Sequence, residues 1–124
     1  LQTGQELEIV NSDPTLHNIH AQPSANQEFN VGQLVQGMKT TRTFTAPEVM
    51  VPFKCDVHGW MNAYAGVLDH PYFAVTDLDG RLELKSLPPG TYTVEAWHEK
   101  LGRQTQSVTI GASEAKAVAF TFAL

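Results

Sequence analysis

The sequence predicts an all-β protein. Two observations carry that reading: short runs of alternating apolar and polar residues recur along the chain, and no segment keeps an i, i+3, i+4, i+7 apolar pattern for three turns. A third is punctuation, since seven Pro and nine Gly are spread through the 124 residues at intervals too short for ordinary helices. With 42% hydrophobic and 17% charged residues the chain can build a core, and its length suits one domain or two very small ones.

Taken in order, the alternating segments fall at residues 6–11, 16–21, 40–45, 49–55, 63–68, 72–76, 81–84, 91–97, 104–110 and 117–122. Strands of this length and spacing predict a β-sandwich. Residues 22–39, rich in Gln, Asn and Gly, are expected to form a long loop with at most a helical turn. Asp79-Gly80 reads as a two-residue hairpin turn, and Pro88-Pro89-Gly90 joins a fixed φ to a residue that tolerates positive φ. A boundary is expected near residues 69–71, giving units 1–70 and 71–124, because the chemically unusual residues all precede it.

Charge excludes one class of partner. Eight Lys plus Arg against thirteen Asp plus Glu leave a net charge of −5, with no basic run, so nucleic acid is not an expected partner. No apolar stretch reaches the roughly 18 residues of a transmembrane helix. Cys55 is the one cysteine, and it permits no disulfide within the chain.

That cysteine lies in Cys55-Asp56-Val57-His58-Gly59-Trp60-Met61, where a thiol, an imidazole and a thioether follow a strand at Cys-x-x-His-x-x-Met spacing. A loop folding back on itself can turn all three toward one centre, and Gly59 is expected to ease the fold-back. A fourth donor is available from Asp13-Pro14-Thr15-Leu16-His17-Asn18-Ile19-His20, as His17 or His20. Three apart on a strand, the two face opposite sides, so only one enters the site. One Cys, two His and a weak Met suit copper, which accepts thiolate, imidazole and thioether; zinc more commonly takes further thiolates or a carboxylate. The plainer readings are a buried cysteine acting as a small hydrophobe, a strand histidine that is only hydrogen-bonded, and a packing methionine.

These residues resemble the cupredoxins, the small blue-copper electron carriers, and the loop resembles the amicyanin-like form with the same ligand spacing. The Gly4-Gln5-Glu6-Leu7-Glu8-Ile9-Val10-Asn11 strand leading to Asp13 and His17-Asn18, with 38 positions separating His17 from Cys55, is similar to the strand that delivers the family's first ligand. The resemblance implies a Greek-key sandwich and a mononuclear type 1 copper held by His17, Cys55, His58 and Met61. Asn18 would tie the histidine strand to the cysteine loop. It also implies an exported, periplasmic or extracellular electron carrier that is not an enzyme and meets transient redox partners. Only 16 residues precede His17, so either later strands complete the sandwich or further sequence lies upstream in a larger chain or assembly. The binuclear centre of oxidase subunit II needs a second Cys in this loop, and Cys55 stands alone there.

From Tyr72 on, Thr76-Asp77-Leu78-Asp79-Gly80-Arg81-Leu82 and Leu87-Pro88-Pro89-Gly90-Thr91-Tyr92-Thr93-Val94 resemble a carboxypeptidase regulatory-like, transthyretin-type β segment, implying an additional small sandwich. Two rival functions stand beside electron transfer. One is a structural or protein-binding module whose metal site stores copper or is vestigial. The other is part of a nitrite-reductase-like copper enzyme, for which His20, His70 and His98 lie in unrelated segments. Trp60 is expected in the core or in an apolar patch around His58. Asp77 and Asp79 are expected in a hairpin turn rather than a calcium loop.

Overall fold

The computed structural model describes residues 1–124, contains no helix, and divides into two compact units, Leu1–Pro71 and Tyr72–Leu124. No helix is long and apolar enough to cross a membrane.

The first unit has six strands: β1 Glu6–Val10, β2 His17–Ala21, β3 Phe29–Gln33, β4 Lys39–Thr43, β5 Glu48–Lys54 and β6 Asn62–Val67. Strands β1 and β4 form one antiparallel pair, and the other four form a sheet in the order β3-β2-β5-β6, antiparallel throughout. Alternation decides which side chains turn inward. In β1, Leu7 meets a core formed by Ala21 of β2, Val51 of β5, Val67 of β6 and Phe44, with Phe29 and Phe53 packed beside it. The two sheets therefore share one apolar layer, the sandwich arrangement. Phe29, Phe44 and Phe53 meet at centroid distances of 6.2–6.3 Å, and Phe53 stands edge-on to both of the others.

One feature of this unit differs from the sequence expectation. Strand β3 lies inside the stretch expected to be a loop. Its five residues, Phe-Asn-Val-Gly-Gln, pair along all of β2 from His17↔Gln33 to Ala21↔Phe29. Strand β2 in turn meets β5 over only two pairs, His20↔Lys54 and Ala21↔Phe53. Polar hydrogen bonds close the end of the sandwich where β2 begins. Gln33, 1% exposed, donates to Ile9 O and to Thr40 Oγ1, linking β3 to β1 and β4.

The second unit holds one antiparallel hairpin, β7 Gly90–His98 and β8 Gly102–Ile110, paired over its full length. His98 Nδ1 accepts the N–H groups of Lys100 and Leu101, and Gly102 supplies the positive φ of 82° that the turn requires. The additional small sandwich expected here is not formed, because residues 72–76, 81–84 and 117–122 are not strands. Alternation fits a residue run to a pleated surface, but a strand exists only where a neighbour takes its backbone groups. Here Asp77 Oδ1 takes the N–H groups of Asp79 and Arg81 into a local turn, and the side chains of Gln104 and Gln106 hold the carbonyls of Thr121 and Ala119.

Candidate metal centre

Strand β2 begins at His17, and β5 ends at Lys54, one residue before Cys55. The chain then folds back: Cys55 N donates to Met61 O at 3.1 Å, and Met61 N donates to His58 O at 2.9 Å. Gly59 takes no positive φ, and a Cβ built on it would meet nothing within 4 Å. Hydrogen bonds, not glycine's freedom, thus set the loop.

Asn18 joins this loop to β2. Its Oδ1 accepts Asp56 N at 2.6 Å and Val57 N at 3.3 Å, while Nδ2 donates to Asp56 Oδ2 and Asn30 Oδ1, both at 2.9 Å. Asp56 also faces Lys54 Nζ at 3.4 Å, Asn30 Nδ2 at 3.2 Å and His20 Nδ1 at 3.1 Å. Some burial works against its ionisation, but donors from Asn18, Lys54 and Asn30 hold the Asp56 carboxyl below its usual range.

Three donors converge where β2 meets this loop. Cys55 Sγ lies 3.8 Å from His17 Nδ1 and 3.7 Å from His58 Nδ1, and the two nitrogens are 3.1 Å apart. His17 and Cys55 are buried, whereas His58 is half-buried. The imidazoles meet edge to face at 4.9 Å. Burial alone would push the Cys55 thiol up. Hydrogen bonds from the Asn18 backbone, the His17 ring, and the His58 backbone and ring outweigh it and bring the thiol down to about 6. His17 is raised, first by its bond to Cys55 and next by Asp13.

Of the four ligands expected from sequence, the fold brings His17, Cys55 and His58 together. Met61 lines a cavity of about 450 Å³ that His17 and Cys55 also line, and it is 37% exposed. Leu7, Ile19 and Phe53 make much of that cavity apolar. His20 points elsewhere, bridging Asp56 and Glu28, the latter at 2.6 Å. Trp60 is 78% exposed, with its ring 5.3 Å from that of His58, and so does not fill the core. His98 is occupied by its hairpin turn. Sequence reasoning missed Asp13, whose Oδ2 lies 2.8 Å from His17 Nε2, and Asn11, which shapes the loop carrying it. The Asn-x-Asp spacing, typical of a side chain capping the backbone two residues on, was the available signal.

Fold and site together define an all-β protein with a buried thiol and two imidazoles at a strand-end loop. Residues 39–118 match polysaccharide lyase family 4, domain II, and the chain belongs to this family. The matched stretch runs from β4 through β8 and includes Cys55, His58 and Met61; His17 precedes it. This corrects the resemblance to cupredoxins and to a carboxypeptidase regulatory-like, transthyretin-type segment. Those likenesses rested on a seven-residue loop, on one strand leading to His17-Asn18 at a set distance from Cys55, and on turn motifs, all of which local geometry produces on unrelated β scaffolds. No curated protein and no solved structure gives a match.

Proposed function

We propose that His17, Cys55 and His58 hold a single copper ion, with Met61 as a weaker fourth donor, and that the protein transfers electrons as the ion cycles between Cu(I) and Cu(II). The convergence of two imidazole nitrogens and one sulfur, 3.1, 3.7 and 3.8 Å apart, carries this reading. A centre about 2.0 Å from each nitrogen and about 2.3 Å from sulfur would subtend angles of about 102°, 119° and 124° at those separations, a nearly planar trigonal set. A thiolate, two imidazoles and a thioether nearby favour copper over zinc. The lowered thiol fits a ligand that binds as thiolate.

Copper, when bound, supplies a one-electron couple. The chain's own residues do the rest: strand ends and the Asn18 hydrogen bonds hold the donors in similar places in both states, and burial of Cys55 and His17 excludes water. Half-buried His58 beside exposed Trp60 offers an edge for transient redox partners through a small interface. We read the chain path, crossing from β1 to the β2-β3 pair, back to β4, and over again to β5-β6, as Greek-key in kind.

Membership in a family named as a domain of a polysaccharide lyase favours a second reading. In it the protein is a structural or binding β module, and the cluster stores copper or is a vestige. Adding one equivalent of Cu(II) and recording visible and paramagnetic resonance spectra, before and after ascorbate, separates the two. An intense thiolate-to-copper band that bleaches on reduction and returns on reoxidation supports electron transfer; its absence leaves the module.

A further inference from the structure

His17 turns Nδ1 toward Cys55 and His58, so its other nitrogen decides what that face can do. Nε2 lies 2.8 Å from Asp13 Oδ2. An imidazole that gives its outer proton to a carboxylate presents a lone pair on its inner nitrogen, and the carboxylate makes that lone pair a better donor. The loop bearing Asp13 is built for this placement. Asn11, 2% exposed, accepts Asp13 N–H on Oδ1 at 2.9 Å, while its Nδ2 reaches the carbonyls of Thr15, Gln33 and Val35 at 2.9–3.3 Å. Gln36 Nε2 holds Ser12 O at 2.9 Å. A buried side chain thus anchors the turn, and the turn aims an exposed carboxylate at a buried ring.

We infer that Asp13 is a positioning residue of the centre: it selects the ring nitrogen that His17 offers and lowers the reduction potential of the ion held there. The inference rests on the copper reading above. A carboxylate favours the more highly charged ion, so removing it weakens Cu(II) binding more than Cu(I) binding. Loss of an outer partner of this type costs about 10–100-fold in metal affinity. A tenfold loss confined to Cu(II) raises a one-electron potential by about 59 mV.

The test compares the wild type with Asp13→Asn, which keeps an acceptor for the ring but removes the charge, and with Asp13→Ala. Each is loaded with Cu(II) and read by visible spectrum, Cu(II) competition and spectroelectrochemical potential. Expected are a retained thiolate-to-copper band, Cu(II) affinity down at least tenfold, and a potential raised in both variants. A potential and affinity equal to the wild type's overturn the inference while leaving the copper site standing. A wild type without the band refutes the copper reading, and Zn(II) competition then decides for Asp13. At least tenfold weaker Zn(II) binding in Asp13→Asn supports the positioning role; equal affinity, or no Zn(II) binding by either protein, overturns it.

Discussion

Replacing Asn18 with Ala should loosen the cysteine loop and the metal site together. The substitution removes four N–H hydrogen bonds, two from the Asp56 and Val57 N–H groups to Oδ1 and two from Nδ2 to Asp56 and Asn30, besides the weaker 3.4 Å bond from Cys55 Sγ to Oδ1. At about 0.5–1.5 kcal/mol net each, the loss is bounded at about 2–6 kcal/mol; these groups are exposed and can return to water, so about 2 kcal/mol is expected. Copper affinity should fall about 10–100-fold. Asn18→Asp is the sharper variant. It restores the acceptor for the loop N–H groups but sets a second carboxylate 2.9 Å from Asp56 Oδ2. That repulsion is about 1.4 kcal/mol even at the dielectric constant of water. Asp should therefore rescue neither the urea midpoint of the metal-free protein nor the Cu(II) competition constant. A full rescue by Asp, or a wild-type Ala variant, would refute the two-way tie assigned to Asn18.

Glu48 gives a pH prediction. Partial burial works against its ionisation, but the Ser24 and Ala25 N–H groups at 2.7 and 2.6 Å, with Asn26, outweigh this and hold the carboxyl below the ordinary glutamate value of 4.5. A depressed folded value means its stabilisation is complete above about pH 4.5 and is lost as pH falls through the folded value. Glu48→Gln should cost about 1 kcal/mol at neutral pH, and the gap from wild type should close on acidification in urea titrations. A gap that widens instead would contradict this sign. Gly37→Ala, at φ 88°, should cost about 1–2 kcal/mol in thermal unfolding, whereas Gly59→Ala should stay within about 0.5 kcal/mol. Equal costs would show that the loop does need its glycine. His20→Ala should lose no more than about 1 kcal/mol, from its bridges to Glu28 and Asp56, while keeping the thiolate-to-copper band. A variant without the band would return His20 to the ligand set.

What the sequence could reveal follows from how far each signal reaches. Alternation in Glu6-Leu-Glu-Ile-Val and in β7 and β8 marks strands whose partners lie close along the chain or present an apolar face. Phe29-Asn-Val-Gly-Gln carries only two apolar side chains and a glycine, and it is a strand because β2 supplies a partner along its whole length. Residues 117–122 have better alternation but no partner strand, only the Gln104 and Gln106 side chains on two of their carbonyls, so they are not a strand. In the candidate site, the period of two on β2 separates His17 from His20 before any coordinates are known, and the loop spacing marks Cys55 and His58. Asp13 was hidden, because a contact made four residues back from a strand start depends on the path of a loop, which Asn11 fixes through carbonyls of β3 and the turn after it.

The two-pair contact between β2 and β5 has a consequence for how the molecule breathes. Past His20↔Lys54 the strands share no backbone ladder, and only side chains span the gap: Asn18 to the loop, His20 to Asp56, and His17 toward Cys55. Such a seam parts like an unfastened hem, from its free end inward, and each step takes His17 away from the sulfur. An ion gripped there would act as the clasp, so amide exchange along this margin and release of the ion would be one event seen by two clocks.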